Sequence, residues 1–583
     1  MREPSVKCFI EPRRDNSQDE HSEADSEPGL AALPESLLLR HGAIVLNPAA
    51  AVSIPGWPAP RPAVYRARNL LVPGELLAGP QLDAINAVLA RVGMKLVAPL
   101  IPEEAHGKGI STRTWMRLPR PAVLTPARRD HAAAGFPVVI DAWVALQMLR
   151  AAADAHEPGL DKQAVSRIAL EHLLIGAAIT GSPITEGGGL SYSAPNGGGT
   201  GSAATDSYLF SGGDGRSPVE VCMEAPDWST TERCAREYGR RAVVAVLDTG
   251  VRAHSWLGVH ADPAAPGGYS ADGFVEVSQG LQDIIRLQGA AVTSAGDSLR
   301  QLIAYPWDRP VTAEPLVGEL DTHTGHGTFI AGIVRQVAPP AQVLSLRIMH
   351  SDGIVYEGDL ICALSLLADR VASAVLGDLA GMIDLVCLSL GYFSESAADV
   401  TYSSGLREVI DMLLGLGVAV IAAAGNYATS RRFYPAAFAA RSPAGQVPLI
   451  SVGALNPNGS KALFSDGGRW VTAWASGAAL ISTFPQDING SRAPEIRMRA
   501  HPANELPATR SLPAAREALD PDDYSGGFAV WSGTSFAAPL LAARVASSLI
   551  RAAARPGSGL RLDVKGTAAA EQRVVAALEE LGW

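Results

Sequence analysis

The sequence contains few cysteines, and no two of them form a CxxC pair. Its 583 residues include five cysteines: Cys8, Cys222, Cys234, Cys362 and Cys387. An odd number without close pairing fits neither a disulfide framework nor a zinc site. We interpret them as buried or incidental thiols, because a disulfide between Cys222 and Cys234 would need an oxidising compartment.

Basic regions are also absent from the sequence. The chain has 48 Lys and Arg residues against 59 Asp and Glu residues, a formal net charge of −11, and no dense Lys/Arg cluster. Nucleic acids are bound through their phosphates, which requires a basic protein face. The composition therefore argues against a nucleic-acid partner.

Long hydrophobic runs are missing as well. The N-terminal stretch MREPSVKCFIEPRRDNSQDEHSEADSEPG has neither the apolar core nor the cleavage site of a secretory signal. No uninterrupted apolar stretch reaches the roughly 18 to 20 residues of a membrane-spanning helix. We therefore expect a globular, cytoplasmic protein without a membrane partner, while export by an unconventional route stays open.

The first half of the chain predicts a tail, a small domain and a linker. Residues 1–54 are predicted to be a disordered acidic tail and lead-in. The apolar pattern of residues 55–157 predicts a small α+β domain built from two rounds of elements. The first round is a strand, a helix and a strand in AVYRARNLLV, QLDAINAVLARVG and MKLVAPLI. The second round is a strand in RTWMRLP, followed by a strand tip that enters a helix in VVIDAWVALQMLRAAADAHE. Residues 158–235 predict a helix over 159–180 and a Gly/Ser-rich linker.

In the second half, short apolar strands alternate with helical patterns. Examples are RAVVAVLDTG, GTFIAGIVRQVA, IDLVCLSLG and VAVIAAAGN. Continuous apolar strands separated by helices are typical of a parallel sheet with helices on both faces. We predict a doubly wound α/β domain over residues 236–556 and a C-terminal extension with a helix over residues 557–583.

Polar residues at the predicted strand ends are the first candidates for a site, because ligands of parallel sheets bind there. Asp248 ends VVAVLD, Asn426 ends VAVIAAAGN, and Ser389 lies within VCLSLG. His326 and Ser535 stand at the predicted starts of two apolar helices. Unpaired backbone N–H groups at a helix start favour an anion nearby.

Each of these residues has an ordinary structural role when it is considered alone, such as a turn aspartate or a helix-capping serine. Together they supply a hydroxyl nucleophile, a base, a carboxylate that orients the base, and a donor for an oxyanion. The chain order is Asp, His, Ser, and the serine lies in GTSFA instead of GxSxG. This order and context exclude the α/β-hydrolase pattern.

Four motifs, VVAVLDTGV, HGTFIAGIV, AAAGN and SGTSFAAP, occur in the order found in the subtilisin-like serine proteases, and residues 240–552 resemble that family. The resemblance implies a sheet of the subtilisin type and a serine endopeptidase that forms an acyl-enzyme. It further implies that Asp248 orients His326, that His326 takes the proton of Ser535, and that Asn426 binds the oxyanion together with the Ser535 N–H.

The resemblance also implies two segments that flank a polypeptide substrate, which pairs with them as an added strand. The residues of these segments are Ser389, Leu390 and Gly391 on one side and Ala423, Ala424 and Gly425 on the other. No cofactor and no catalytic metal are implied, and the calcium sites common in the family cannot be placed on this sequence. Ala-Ser-Gly in AWASGAALIST replaces the usual Ala-Pro-Gly of the family at a structural turn.

Two long segments depart from the family pattern and predict insertions, near residues 254–320 and 487–523, that are either surface loops or a rim of the site. The small N-terminal domain resembles the family's propeptide in its pattern of elements, and a permanent regulatory domain is the alternative. As a propeptide it could inhibit the site within the same chain, and self-cleavage is predicted between about Asp161 and Tyr238. A catalytically silent binding protein with a protease fold is the alternative function.

Overall fold

The computed structural model describes most of the chain. The described residues are 8–10, 33–54, 57–100, 118–127, 139–178, 208, 215–227, 229–314, 319–396, 404–441, 446–490, 494, 496–498 and 516–583. Most of the predicted Gly/Ser-rich linker, most of the predicted strand RTWMRLP and part of the predicted insertion at 487–523 lie outside these residues.

Strands and helices alternate in the first part of the chain. Strands β1 to β6 are Cys8–Ile10, Ala43–Leu46, Ala63–Pro73, Met94–Val97, Pro119–Pro126 and Ala169–Gly176. Helices α1 to α4 are Glu35–Arg40, Gly79–Leu89, Ala142–Asp154 and Lys162–Val165. Aspartates start the last two helices: the Asp141 carboxylate accepts from the Trp143 N–H, and the Asp161 carboxylate accepts from the Gln163 N–H.

The predicted helix over residues 159–180 is wrong. The structure has the single turn α4 there, followed by strand β6, in which all eight residues are buried. A continuous apolar run such as ALEHLLIG suits a strand covered on both faces as well as a buried helix, so its pattern alone does not distinguish them. Helix α1 and strand β2 lie in the predicted lead-in, and residues 139–141, the predicted strand tip, belong to no strand.

The second part of the chain supplies the remaining elements. Strands β7 to β16 are Arg216–Pro218, Val243–Asp248, Val259–Ala261, Tyr269–Ala271, Val275–Val277, Thr312–Glu314, Glu319–Leu320, Gln342–Arg347, Ile354–Tyr356 and Leu385–Leu388. Strands β17 to β25 are Leu390–Phe393, Ala419–Ala423, Phe433–Tyr434, Leu449–Leu455, Ala473–Ser476, Leu480–Thr483, Arg497–Met498, Arg516–Glu517 and Phe528–Trp531. Helices α5 to α11 are Thr231–Tyr238, Gln279–Ser294, His326–Val337, Glu357–Leu376, Ser404–Gly415, Thr534–Ala554 and Thr567–Glu580.

A central sheet organises the second part, with strand order β1–β21–β20–β18–β16–β8–β14–β11. All neighbours from β21 to β11 are parallel, and β1 adds an antiparallel edge strand against β21. Alternate residues of β8 enter two different cores: Val243 packs with α6, α8 and α9, whereas Val244 packs with α7 and α10. The predicted α/β fold with helices on both faces of a parallel sheet is confirmed.

The segment predicted as an insertion at 254–320 is not a simple surface loop. It contains helix α6 and strands β9 to β13, and β11 pairs with β14 at the edge of the central sheet.

Helix α10 has 21 residues, and it is long and apolar enough to cross a membrane. Its apolar window is 83% buried inside the fold, as in a core helix.

A second sheet joins the two parts of the chain. Its strand order is β19–β17–β6–β3–β5–β4, with β15 beside β6 and β2 beside β3. Ile175, near the end of β6, pairs with Ile354 of β15 and with Gly391 of β17. The end of β6 therefore lies between β15 and β17, both antiparallel to it, so a strand of the N-terminal part is inserted between two strands of the second part.

Candidate active site

The carboxyl end of β8 meets the start of α7, and this junction brings two predicted site residues together. Asp248 is the last residue of β8, and His326 is the first residue of α7. The Nδ1–H of His326 donates to Oδ1 of Asp248 at 2.8 Å, and both side chains are buried. Nε2 of His326 is buried too and forms no hydrogen bond with any residue of the described ranges.

Asp308, which the sequence analysis missed, holds the start of α7. Its Oδ2 accepts from the N–H of Gly325, the residue before His326, at 2.8 Å, and burial raises the pKa of its carboxyl to about 6. Gly325 has a φ of 81°, which a residue with a side chain rarely adopts. No local sequence pattern marks Asp308 as a site residue, because Asp308 lies in an irregular segment far from the motifs.

Ser535 is the second residue of α10, and its side chain is buried. Its Oγ–H donates to the carbonyl of Ser389 at 3.1 Å, and the Oγ–H of Ser389 donates to the carbonyl of Ser535 at 2.8 Å. The ring of the next residue, Phe536, lies 5.3 Å from the imidazole of His326 between centroids. The start of α10 thus lies beside the histidine, and the hydroxyl of Ser535 is hydrogen-bonded to Ser389.

Asn426 follows β18 and faces the start of α10. Its Oδ1 accepts from the N–H and from the Oγ–H of Thr534, each at 2.9 Å. The Thr534 oxygen in turn accepts from the Gly425 N–H at 3.1 Å. These bonds fix the amide group, whose Nδ2 is buried and has no hydrogen-bond partner in the part of the chain that the structure describes.

Asp466 supports the loop beyond Asn426. Its Oδ1 accepts from the N–H of Tyr427 at 2.8 Å and from the N–H of Thr429 at 3.1 Å. Burial raises the pKa of this carboxyl well above its usual range, although the two backbone bonds oppose the shift. Asp466 could not be identified from the sequence, since nothing in its local pattern distinguishes it from a turn aspartate.

The end of β6 occupies the cleft beside Ser535. The N–H of Gly176 donates to the carbonyl of Gly353 at 2.9 Å, and the N–H of Ala177 donates to the carbonyl of Ser389 at 3.0 Å. The N–H of Ser535 donates to the carbonyl of Ala177 at 2.9 Å. The backbone of Ala177 is thereby held by both the serine at the start of α10 and Ser389, the residue that precedes β17.

The two predicted flanking segments have different places. Leu390 and Gly391 pair with the end of β6, and Ser389 binds Ala177 as described above. Ala423 pairs with Val452 of β20, and the Ala424 N–H donates to the Val452 carbonyl. The segment from Ala423 to Gly425 therefore leads to Asn426 and does not pair with β6. Strand β15, which the sequence analysis did not single out, flanks β6 on the other side.

A buried histidine joins β6 to the second part of the chain. The Nδ1–H of His172 donates to Glu357 at 2.7 Å, and its Nε2–H donates to Glu395 at 2.9 Å. Burial opposes protonation of His172, but the two carboxylates outweigh it and raise its pKa to about 10. Burial also opposes ionisation of Glu395, yet the bond to His172 lowers its pKa to about 2.

Two further buried ion pairs cross the same boundary. Arg300 contacts Glu171 of β6 across the boundary at 3.2 Å, and it also contacts Asp359 within the second part at 2.6 Å. Arg66 of β3 forms an ion pair with Asp297. All five side chains are buried, so their charges are compensated mainly by one another. No local sequence signal marks these residues, because each partner comes from a distant part of the chain.

The four cysteines whose side chains are described are not paired with one another. Cys222, Cys234, Cys362 and Cys387 are free, so the pair considered for Cys222 and Cys234 is not formed. Burial raises the pKa of the Cys387 thiol to about 12. Among the residues with described positions, no group of three or more His, Cys, Asp or Glu side chains is arranged to hold a metal ion.

Comparison with known proteins gives matches to one family. The subtilase family model matches residues 239–565, more than half of the 583 residues. Subtilisin DY from Bacillus licheniformis is 27% identical over 180 residues, which cover 29% of this chain and 58% of that protein. Thermitase from Thermoactinomyces vulgaris is 27% identical over 177 residues, covering 29% of this chain and 54% of that protein.

Further matches have the same character. Subtilisin E from Bacillus subtilis (strain 168) is 27% identical over 177 residues, covering 29% of this chain and 41% of that protein. The chain thus spans about half the length of the curated relatives it matches. Among solved structures, a cold adapted subtilisin-like serine proteinase is 18% identical with a TM-score of 0.30, over 55% of this chain and 78% of that one.

Proposed function

Because this chain belongs to the subtilase family, we propose that it is a serine endopeptidase that cleaves polypeptides through Ser535. The observation that carries the proposal is the carbonyl of Ala177, which accepts from the Ser535 N–H at 2.9 Å directly after a strand whose end is held between β15 and β17. A peptide carbonyl bound in this way is presented to the serine as a substrate carbonyl would be.

In the proposed reaction, the hydroxyl of Ser535 leaves its bond to Ser389 and attacks the substrate carbonyl carbon. Its proton goes to Nε2 of His326, which has no partner among the described residues. Asp248 holds Nδ1–H and stabilises the imidazolium that forms. The imidazolium then protonates the leaving amine, and a water activated by the same histidine hydrolyses the acyl-enzyme.

The negative charge on the substrate oxygen needs donors that are already in place. We assign this role to the Ser535 N–H and to Nδ2 of Asn426. The first already binds a peptide carbonyl at 2.9 Å, and the second is buried without a partner in the described ranges. Because Thr534 fixes the other end of the amide, Nδ2 would not have to reorganise during the reaction.

The N-terminal part is proposed to inhibit the site as a propeptide. Its strand β6 fills the cleft in the manner of a substrate, and the peptide bond between Ala177 and Ala178 is the proposed cleavage site. This bond lies within the stretch from Asp161 to Tyr238 that the sequence analysis gives for self-cleavage. The buried contacts of His172 and Glu171 explain how the strand would stay bound until cleavage.

Mass spectrometry of the purified chain tests this function. We expect the wild-type protein to cut itself so that a fragment begins at Ala178, and we expect Ser535→Ala to stay at full length. A serine-directed fluorophosphonate should label the processed wild type and leave Ser535→Ala unlabelled. An intact wild type that still cleaves casein would identify the N-terminal part as a permanent regulator. A chain that neither processes, nor is labelled, nor cleaves casein would be the binding protein of the alternative function.

A further inference from the structure

We propose that this site accepts only glycine at the residue before the one whose carbonyl is attacked, because the imidazole of His323 fills the space that a side chain there would need. The inference rests on the proposed function. The cleaved position is the residue whose carbonyl is attacked, represented by Ala177, and the second position is the residue before it, represented by Gly176. Gly176 would thus occupy the second position because the cleft admits no larger residue there.

The contact between Gly176 and His323 leaves no room for a methyl group. A Cβ added to Gly176 would lie 2.6 Å from both Cδ2 and Nε2 of His323, and 3.2 Å from Sδ of Met349. Real Cβ atoms essentially never approach other heavy atoms to less than 3.0 Å. Alanine is the smallest substitution for glycine, so every larger residue at the second position would meet the same ring.

The imidazole of His323 cannot move back, because the chain on its other side is equally close. A Cβ added to Gly353 would lie 2.3 Å from Nδ1 of His323, and the φ of Gly353 is +86°. The ring is therefore enclosed between two glycines, one in the strand that occupies the cleft and one in the turn before β15. A wider cleft would require movement of that turn.

Hydrogen bonds and packing hold His323 in place. Nδ1 lies 3.0 Å from the Oγ1 of Thr322, and the backbone N–H donates to the Ser351 carbonyl at 2.8 Å. The ring packs against the imidazole of His326 at 5.2 Å between centroids. His323 is thus a specificity-determining residue that lies directly beside the proposed base, in a fixed orientation.

The ring of His323 is uncharged, so charged side chains are excluded from the second position as well. Burial lowers the pKa of His323 well below its usual value, and the nearby guanidinium of Arg216 acts in the same direction. A neutral imidazole offers no ionic attraction that would compensate a carboxylate for the lack of space. The selection at the second position is therefore steric.

A matched pair of peptides tests the inference with the processed wild-type protein. Both are internally quenched, and their central sequences are Leu-Ile-Gly-Ala-Ala and Leu-Ile-Ala-Ala-Ala, the first taken from the chain itself. We expect kcat/KM to be about 10- to 100-fold lower for the second peptide, the loss expected when one methyl is forced into filled space. A control peptide with Val for Ile at the third position should lose less than the alanine peptide does.

Variants of the full chain test the role of His323 within the molecule. Gly176→Ala should slow self-cleavage after residue 177 by a similar factor, and His323→Ala in the same chain should restore it. A general loss of packing at His323 would not produce such a rescue. In the peptide assay, His323→Ala should bring the kcat/KM values of the glycine and alanine peptides close together.

The outcomes separate this inference from the proposed function. Equal cleavage of the two peptides by the wild type, with none by Ser535→Ala, would overturn the glycine requirement and leave the endopeptidase intact. Cleavage of neither peptide, together with no fluorophosphonate labelling, would overturn both. The comparison of the two peptides needs no variant at position 323, so it decides the question even where His323→Ala does not fold.

Discussion

The buried contact of His172 with Glu357 and Glu395 predicts how tightly the N-terminal part holds the cleft. Replacing His172 by Gln would leave two buried carboxylates without their shared cation. Removing one partner of a buried ion pair costs about 3 to 5 kcal/mol. At about 1.4 kcal/mol per tenfold change, the N-terminal fragment should bind the processed enzyme at least about 100-fold more weakly.

The assay is dilution of the processed protein into a quenched peptide substrate, with activity recorded over time. We expect His172→Gln to release its N-terminal fragment at higher protein concentration than the wild type and to gain full activity sooner. The control is Arg91→Gln, which removes the exposed Arg91–Glu157 pair of the same N-terminal part and should change little. Identical release curves for wild type and His172→Gln would refute the reasoning.

The same contact gives fragment release a defined pH dependence. The pKa of His172 is raised from 6.5 to about 10, so its contribution to docking is full below pH 6.5 and is lost as the pH rises through 10. The pKa of Glu395 is lowered from 4.5 to about 2, so its contribution is full above pH 4.5 and is lost as the pH falls through 2. Docking should therefore be tightest between about pH 4.5 and 6.5, and an alkaline shift should speed release.

Three further predictions concern the site. Ser535→Ala should abolish peptide cleavage, since losing the serine of subtilisin costs about a factor of 10⁶ in turnover; retained cleavage would remove Ser535 from the reaction. Asn426→Ala should lower kcat by about 10²- to 10³-fold with a smaller change in KM, the cost of one oxyanion donor; an unchanged kcat would contradict its role. Asp308→Ala leaves the Gly325 N–H unpaired and should cost about 1 to 3 kcal/mol of stability in urea unfolding; wild-type stability would refute it.

Local patterns in the sequence were sufficient for the central sheet and for the residues at its carboxyl edge. β8 is a run of buried residues whose last member is Asp248, and parallel strands bring their ends to one edge, so the positions of Asp248 and Asn426 follow from their places in the chain. The helix starts at His326 and Ser535 could be found in the same way, because glycine precedes the apolar helical pattern closely.

Long-range contacts account for what the sequence did not predict. Strand β6 was interpreted as a helix because its pairing partners, β3, β15 and β17, come from distant parts of the chain. The contact of His323 with Gly176 and the ion pair of Arg300 with Glu171 depend on that same placement. Such residues carry no periodicity of their own, so they become visible only when β6 is known to lie in the cleft.

The position of β6 between β15 and β17 has a consequence for which proteins could be attacked. Strands in a sheet lie about 4.8 Å apart, so removing one leaves a slot about 10 Å wide whose two walls present unpaired backbone groups. An α-helix has about the same diameter but has already used its own N–H and C=O groups, so it cannot bond to those walls. The emptied cleft would therefore select substrates by backbone conformation before it selects them by residue type. Natively folded proteins would be cleaved only where a segment can adopt an extended conformation.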